Sequence, residues 1–302
     1  MNPGTRQFRE QILSMRRAYL GGENAMEAGR RSRSEETNST NTTLVAYDLQ
    51  AGSYVENAIS NPEANSRWCR QLSDLLEPYL RSGDSLLEVG AGEATTLCGV
   101  RNNLSVEILD IFGFDISWSR CHVGSQWLRK CGKTDARLFV ADLFAIPFAN
   151  DSIDVVYTSH SIEPNGGRER EAIQEILRVA RKAVILVEPL FELASPEARK
   201  RMESHGYVRG LKETVESLGG RVTDFRLLEH CANPLNPSGC VIIEKDRHAK
   251  HSRPEWQCPL TGAPMIEAHD LFHAEECGVV YPILRGIPIL RPEHAVIASK
   301  IS

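Results

Sequence analysis

Short apolar segments alternate with helical patterns between residues 85 and 244, and this alternation restricts the fold more than any other feature of the sequence. Strands are expected at residues 85–89, 111–114, 137–140, 153–158, 183–187, 222–227 and 240–244, and helices at residues 65–80, 117–130, 168–181, 196–204 and 210–218. Strands that alternate with helices are joined by right-handed crossovers, which produce a mostly parallel sheet. We therefore predict an α/β fold with a doubly wound, mostly parallel seven-stranded sheet, whose last two strands form an antiparallel hairpin at one edge.

A glycine-containing turn follows the first strand, within the segment LLEVGAGEAT at residues 86–95. Gly90 and Gly92 allow a tight turn and a close approach of the backbone to a ligand. A dinucleotide-binding turn would carry a third glycine where this chain has Thr95. The carboxylate of Glu88 suits a ligand with a cationic amine and a sulfonium better than a pyrophosphate. The pattern alone also fits a tight turn without any ligand.

Acidic residues end two further strands. Asp115 follows the second strand and can accept hydrogen bonds from both ribose hydroxyls, and Asp142 follows the third strand, within reach of an adenine amino group. A single Asp at such a position is more often a helix N-cap. Together with Glu88, however, these residues lie at the carboxyl ends of successive strands, where doubly wound sheets bind ligands. The three acids therefore indicate a nucleoside-containing cofactor.

The segment DLFAIPFANDSIDVV, residues 142–156, resembles a run found in class I S-adenosylmethionine-dependent methyltransferases, particularly the small-molecule branch. The resemblance extends over about residues 80–245 and implies a Rossmann-like methyltransferase domain, expected at residues 44–246, with S-adenosylmethionine as cofactor. It also implies the positions of the cofactor-binding residues. These are Glu88, Gly90 and Gly92 at the methionine part, Asp115 and Ile116 at the ribose, Asp142 and Leu143 at the adenine, and Ser159 near the transferable methyl group.

The loop after the fourth strand is where a methyl acceptor should lie. His160 is the main candidate for a general base because its unperturbed pKa is close to working pH, and Glu163 is the second candidate. The alternative is that His160 only packs against the cofactor or caps a helix. Both residues are therefore predicted as catalytic, with that alternative left open.

The acceptor is expected to be a small polar molecule methylated on oxygen, such as a sugar or sugar nucleotide. The chain lacks the Asn-Pro-Pro-Tyr tetrad of enzymes that methylate planar nitrogens, and its net charge of −5 gives no bulk attraction to nucleic acid. Residues 46–54, 159–168 and 233–237 resemble segments of methyltransferases associated with bacterial surface-glycan and nonulosonic-acid gene sets. The acceptor contacts predicted in the first of these segments are Tyr47, Asp48, Gln50 and Tyr54.

Two alternatives remain for the function. One is a methyltransferase that acts on RNA or on a translation-related protein, and the other is a non-catalytic protein that binds the cofactor. No apolar run approaches the roughly 20 residues that span a bilayer, and the N-terminus lacks the apolar stretch of a signal peptide. A cytoplasmic protein without a membrane partner is therefore expected, and a homodimer is left open.

The N-terminal residues 1–43 are expected to form a basic amphipathic helix at residues 5–20 and then a flexible linker. The linker prediction rests on residues 21–43, which carry few large apolar side chains and many Ser, Asn, Thr, Glu and Arg. The helix is either a lid over the active site or a surface helix packed on the domain or a partner.

A small C-terminal module is predicted at residues 255–295, after a charged linker at residues 246–254. Its sequence resembles the small zinc-ribbon-like α+β domain that activates several methyltransferases as a separate subunit. Each expected Cys-x-x-Cys pair has kept one cysteine, Cys258 and Cys277, whereas a structural zinc site needs four ligands. We therefore expect no metal there, although His269 or His273 could add a ligand. By analogy of position the two cysteines could form a disulfide, which a reducing cytosol disfavours.

Overall fold

A computed structural model of the chain describes residues 3–246, 249 and 252–301. Its centre is a seven-stranded sheet, as predicted, with the spatial order β3-β2-β1-β4-β5-β7-β6. All neighbouring strands are parallel except β7, which runs antiparallel to both β5 and β6. The strands are β1 (Ser85–Val89), β2 (Asp110–Asp115), β3 (Ala136–Val140), β4 (Ile153–Ser159), β5 (Ala180–Pro189), β6 (Arg221–Leu227) and β7 (Ser238–Glu244).

Helices cover both faces of this sheet, because successive side chains of its central strands point to opposite sides. Leu87 and Val156 belong to one apolar core, and their neighbours Leu86 and Val155 belong to the other. This double burial explains why β1 and β5 are buried along their whole length. The helices of this part of the chain are α5 (Pro62–Leu76), α6 (Thr95–Asn103), α7 (Trp118–Lys130), α8 (Glu169–Val179), α9 (Pro196–His205) and α10 (Leu211–Ser217).

The N-terminal segment folds into four helices, and the prediction of a flexible linker at residues 21–43 is therefore wrong. The four helices are α1 (Pro3–Leu20), α2 (Ala25–Arg33), α3 (Thr40–Leu49) and α4 (Ser53–Ser60). The side chain of Asn24 caps α2 by accepting the N–H groups of Met26 and Glu27. A Cβ atom on Gly29 would lie 2.7 Å from Thr42 Cγ2, so the absence of a side chain allows close packing here. The segment packs through small residues, which hydrophobicity patterns do not detect.

The C-terminal module is an antiparallel sheet with the order β11-β10-β9-β8, in which β12 also pairs with β10. The strands are β8 (Ile266–Ala268), β9 (Leu271–Ala274), β10 (Val279–Leu284), β11 (Ile287–Pro288) and β12 (Val296–Ile297). The predicted α+β character is wrong for the described residues, whose only helices in this module are short 3-10 turns. The predicted linker at residues 246–254 lies partly outside the described residues.

The module contacts the β3 edge of the main sheet. Trp256 stacks on Phe148 with ring centroids 4.3 Å apart and meets Phe139 edge-on. Ile289 forms a parallel bridge with Val140, and the carbonyl oxygen of Val140 accepts the N–H of Leu290 at 2.8 Å. The module therefore extends the main sheet and shares its apolar core.

Candidate active site

A cavity of about 400 Å³ lies at the carboxyl ends of the central strands, a size typical of small-molecule sites. Residues of α3 and α4, which belong to the N-terminal part of the chain, form another part of its wall. No described residue of α1 lines the cavity, so the prediction of a lid formed by this helix is not supported. Predicted site residues on the wall are Gly90, Asp115, Ile116, Asp142, Leu143, Ser159, His160, Tyr47 and Tyr54.

The turn after β1 has the geometry that its glycines allow. Gly90 and Gly92 have φ angles of 66° and 54°, in the left-handed region. A Cβ atom on Gly90 would lie 2.3 Å from the Cβ atom of Ser161. The loop after β4 therefore packs directly on this turn, and a side chain at position 90 would separate them.

Asp115 is fixed by the backbone at the tip of β2. Its Oδ2 accepts the N–H of Gly92 at 3.1 Å, and its Oδ1 accepts the N–H of Ser117 at 2.9 Å. Burial raises the pKa of Asp115, although Arg120 and these backbone groups oppose the shift. A carboxylate has about four acceptor sites, so capacity remains for the two hydroxyls of a ribose.

Asp142 lies just after β3 and forms another part of the wall. Its Oδ1 accepts the N–H of Phe144 at 3.0 Å, and burial raises its pKa. The second carboxylate oxygen can accept a further hydrogen bond, such as one from an adenine amino group. The positions of Asp115 and Asp142 on one cavity wall fit an adenosine group.

Arg120 is a cavity residue that the sequence patterns did not indicate. Its side chain is 1% exposed, and its guanidinium carbon lies 4.1 Å from the ring centroid of Tyr54 and 4.9 Å from that of Tyr47. Its Nε donates to the carbonyl oxygen of Tyr47 at 2.9 Å. Its Nη2 has no hydrogen-bond partner among the described residues, which leaves one buried donor available to a bound molecule.

Glu93 connects the glycine turn to the helices that cover the cavity. Its fully buried carboxylate accepts the N–H groups of Gly52 at 3.0 Å and Val55 at 2.8 Å, at the N-terminus of α4. Gly52 has no side chain with which to cap this helix, so Glu93 supplies the cap from 41 residues away. The sequence patterns did not indicate this role either.

His160 is held between two hydrogen-bonding groups. Its Nδ1 lies 3.1 Å from Glu163 Oε2, and its Nε2 lies 2.7 Å from Ser238 Oγ. The ring of Trp68 meets the imidazole edge-on, with centroids 5.5 Å apart. Burial lowers the pKa of His160, but the carboxylates of Glu163 and Glu188 outweigh it and raise the pKa above its ordinary value.

Glu188, near the end of β5, holds the loop that carries His160. Its carboxylate accepts three backbone N–H groups, from Ser161 at 3.1 Å, Ile162 at 3.2 Å and Glu163 at 3.1 Å. Burial raises the pKa of Glu188 to about 7, while His160 acts in the opposite direction. No local sequence pattern indicates a role for Glu188, because its partners lie 25 to 27 positions away.

The remaining predicted site residues do not line the cavity. The carboxyl group of Glu88 lies near Tyr157 and Cys69, and burial raises its pKa to about 8 although Tyr157 lowers it. Asp48 accepts the hydroxyl of Ser117 at 2.7 Å. The other three are Gln50, Gly92 and Glu163. Gln50 donates to the carbonyl oxygen of Ala46, and Gly92 donates to Asp115. Glu163 contacts two residues of the cavity wall, because it lies 3.1 Å from His160 Nδ1 and accepts from Asn236 Nδ2 at 3.3 Å.

No cluster of three or more His, Cys, Asp or Glu side chains suitable for a metal occurs in residues 3–246, 249 and 252–301. Cys258 is buried, Cys277 is exposed, and neither forms a disulfide. Over the same part of the chain, no helix has the length and apolar character needed to cross a membrane.

Comparisons with known proteins agree with the geometry of the cavity. Residues 87–187 match the family described as methyltransferase domain. The sarcosine/dimethylglycine N-methyltransferase of Aphanothece halophytica is 26% identical over 220 residues, which cover 69% of this chain and 76% of that protein.

A solved structure that contains a methyltransferase shares the fold of this chain. A complex of the Haloferax volcanii Trm112 methyltransferase activator with a putative methyltransferase matches with a TM-score of 0.52 and 14% identity, covering 66% of this chain and 97% of the matched chain. A putative sarcosine dimethylglycine methyltransferase from Galdieria sulphuraria matches with a TM-score of 0.47 and 12% identity, covering 60% and 85%. Residues 87–187 thus carry a methyltransferase domain of Rossmann-like fold, the fold of the class I enzymes that use S-adenosylmethionine as cofactor.

Proposed function

We propose that the protein methylates a hydroxyl group of a small polar acceptor such as a sugar or sugar nucleotide, of which the uncharged sugar fits the cavity wall better. The observation that carries this proposal is the position of His160 on the cavity wall, with its Nδ1 3.1 Å from the carboxylate of Glu163. A hydroxyl must lose its proton as it is methylated, and a histidine paired with a carboxylate is suited to receive it.

The charge distribution of the wall supports a neutral acceptor. Arg120 is the only Lys or Arg among the described residues that line the cavity, and it is stacked against Tyr47 and Tyr54 close to Asp115. Five asparagines also line the cavity, namely Asn57, Asn65, Asn165, Asn233 and Asn236. The buried Oδ1 of Asn236 has no hydrogen-bond partner among the described residues. Neutral amide groups of this kind recognise hydroxyls.

A second candidate is N-methylation of a small amine, which the similarity to the Aphanothece halophytica enzyme favours. Sarcosine and dimethylglycine carry a carboxylate, and Arg120 is the one Lys or Arg side chain that the described part of the wall offers to bind it. Methylation of RNA or of a translation-related protein, and cofactor binding without catalysis, are the remaining alternatives.

The residues of this chain have separate tasks in the proposed reaction. S-adenosylmethionine supplies an electrophilic methyl group when it is bound. Asp115 and Asp142 would hold its ribose and adenine, and the turn at Gly90 lets the loop after β4 pack beside it. His160 would take up the acceptor's proton, and Glu163 would stabilise the resulting imidazolium.

An acceptor screen with methyl-labelled S-adenosylmethionine tests this proposal. The arms are neutral sugars, sugar nucleotides, sarcosine with dimethylglycine, and total RNA with ribosomal protein. Label in either sugar arm, lost in His160→Ala while cofactor binding persists, is the expected result. Label only in the amine arm would instead indicate N-methylation of a small amine. Label only in the macromolecular arm would indicate methylation of RNA or of a translation-related protein. No label in any arm would support a protein that binds the cofactor without catalysis.

We further propose that residues 255–295 act as an activator-like module that needs no zinc. The stacking of Trp256 on Phe148 and the pairing of Leu290 with Val140 support a stabilising role in the same chain. Metal analysis of protein purified without chelators should find well under one zinc per chain. Stoichiometric zinc that disappears on substitution of Cys258 or Cys277 would contradict this.

A further inference from the structure

Ser238 and His160 line the same cavity and are hydrogen-bonded to each other. Ser238 is the first residue of β7 and is 2% exposed. Its Oγ lies 2.7 Å from His160 Nε2. A contact of this length is a well-formed hydrogen bond.

The two ring nitrogens of His160 are both engaged. Nδ1 faces Glu163 and Nε2 faces Ser238, so neither nitrogen is left to meet an acceptor directly. Because a carboxylate can only accept, the neutral ring carries its proton on Nδ1 and its lone pair on Nε2. The hydroxyl of Ser238 then donates to Nε2 and keeps its oxygen lone pairs available toward the cavity.

Backbone hydrogen bonds hold the array of Glu163, His160 and Ser238 in place. The N–H of His160 donates to the carbonyl oxygen of Val187 at 2.9 Å, and His160 has a φ angle of 57°, which few non-glycine residues adopt. The carbonyl oxygen of Ser238 accepts the N–H of Leu228 at 2.9 Å. A strained residue whose conformation is fixed by its neighbours is a common feature of functional sites.

We propose that Ser238 is a catalytic residue that relays the acceptor's proton to His160. This inference rests on the proposed hydroxyl methylation. As the oxygen–methyl bond forms and the methyl–sulfur bond breaks with its electron pair on sulfur, the acceptor's proton moves to Ser238 Oγ. The proton of Ser238 moves to His160 Nε2 in the same step, and the imidazolium is balanced by Glu163.

Other groups around this array affect its titration. Glu163 and Glu188 raise the pKa of His160, and so does Cys231, whose Sγ also lies 3.7 Å from Ser238 Oγ. Tyr207 is hydrogen-bonded to Glu163. The distance of 2.7 Å to His160 makes the imidazole the stronger partner of the Ser238 hydroxyl than the thiol.

The tautomer of His160 tests the relay without any acceptor. In the full chain labelled with ¹⁵N-histidine, the His160 signals are assigned by their loss in His160→Asn. Above its pKa, neutral His160 should carry its proton on Nδ1, and Glu163→Gln should lower that pKa. Ser238→Ala should shift the Nε2 resonance, whereas Ser73→Ala, which removes another buried hydroxyl, should not. A proton on Nε2 would overturn the relay, because Ser238 could not then donate to His160.

Transfer assays add a second test with the neutral sugars and sugar nucleotides of the acceptor screen as probes. Ser238→Ala should lower the rate about 10²-fold with unchanged cofactor affinity, and Ser238→Thr should restore much of it. A full rate in Ser238→Ala alongside an impaired His160→Ala would reject the relay and leave the proposed function intact. If neither sugar arm is labelled, the proposed function fails, and the tautomer still decides whether the array exists.

Discussion

At the scale of residues, the environment of Glu88 gives a prediction about pH. Its folded-state pKa of about 8 lies well above the value of roughly 4.3 in an unfolded chain. Between these values the folded protein keeps a proton that the unfolded chain has lost. The stabilisation is therefore complete below about pH 4 and is lost as the pH rises through about 8.

Glu88→Gln imitates the protonated acid and should remove this pH dependence. Its free energy of unfolding should match that of the wild type at about pH 4 and exceed it at pH 8, as measured by urea denaturation. Because Glu88 does not line the cavity, cofactor affinity should change little. Equal pH dependence in both proteins, or a large loss of cofactor affinity, would contradict this description of Glu88.

Some site residues could be found from the sequence, and others could not, for a physical reason. Asp115 and Asp142 follow apolar strands of a doubly wound sheet, so local pattern and topology together place them on the cavity wall. Arg120, Glu188 and Ser238 act through partners distant in sequence, and no local pattern records such pairs. For Asp48 and Gln50 the sequence predicted an acceptor contact that the structure does not show. Asp48 accepts from Ser117, and Gln50 donates to the carbonyl oxygen of Ala46.

At the scale of elements, Glu93 connects the glycine turn to α4, and this connection could not be predicted from the sequence. Glu93→Ala removes the acceptor for the N–H groups of Gly52 and Val55 and leaves them without their cap. We expect faster hydrogen exchange at these amides and weaker cofactor binding, because Tyr54 of α4 lines the cavity. Glu56→Gln, an exposed change in the same helix, is the control. Unchanged exchange in Glu93→Ala would show that α4 is held by packing alone.

At the scale of the whole molecule, the C-terminal module completes the core of the main domain. Trp256 contacts Phe112, Phe139 and Phe148 of that domain and Phe272 of the module. The charges of Arg291 and Glu293 also affect the pKa of Asp142, which places the module beside the Asp142 side of the cavity. The sequence predicted a separate unit, and the structure shows one that shares its core with the sheet.

Trp256→Ala should destabilise the whole protein by up to about 3 kcal/mol, the lower end of the range for fully buried aromatic residues, because Trp256 is partly buried. A single cooperative transition at lower denaturant concentration is expected, since both parts share one core. Ile297→Ala removes an apolar side chain of the same module that is 73% exposed and should have little effect. Separate unfolding of a weakened module and an unaltered main domain would contradict a shared core.

Isothermal titration calorimetry tests most directly whether the cavity binds S-adenosylmethionine through Asp115 and Asp142 at the strand ends. The wild type should bind both S-adenosylmethionine and S-adenosylhomocysteine. Asp115→Ala should weaken binding by about 1–3 kcal/mol through loss of charge-assisted hydrogen bonds. Asp110→Ala, at the opposite end of the same strand, should bind like the wild type. A folded wild type that binds neither compound, or that binds a nicotinamide dinucleotide tightly instead, would contradict the account.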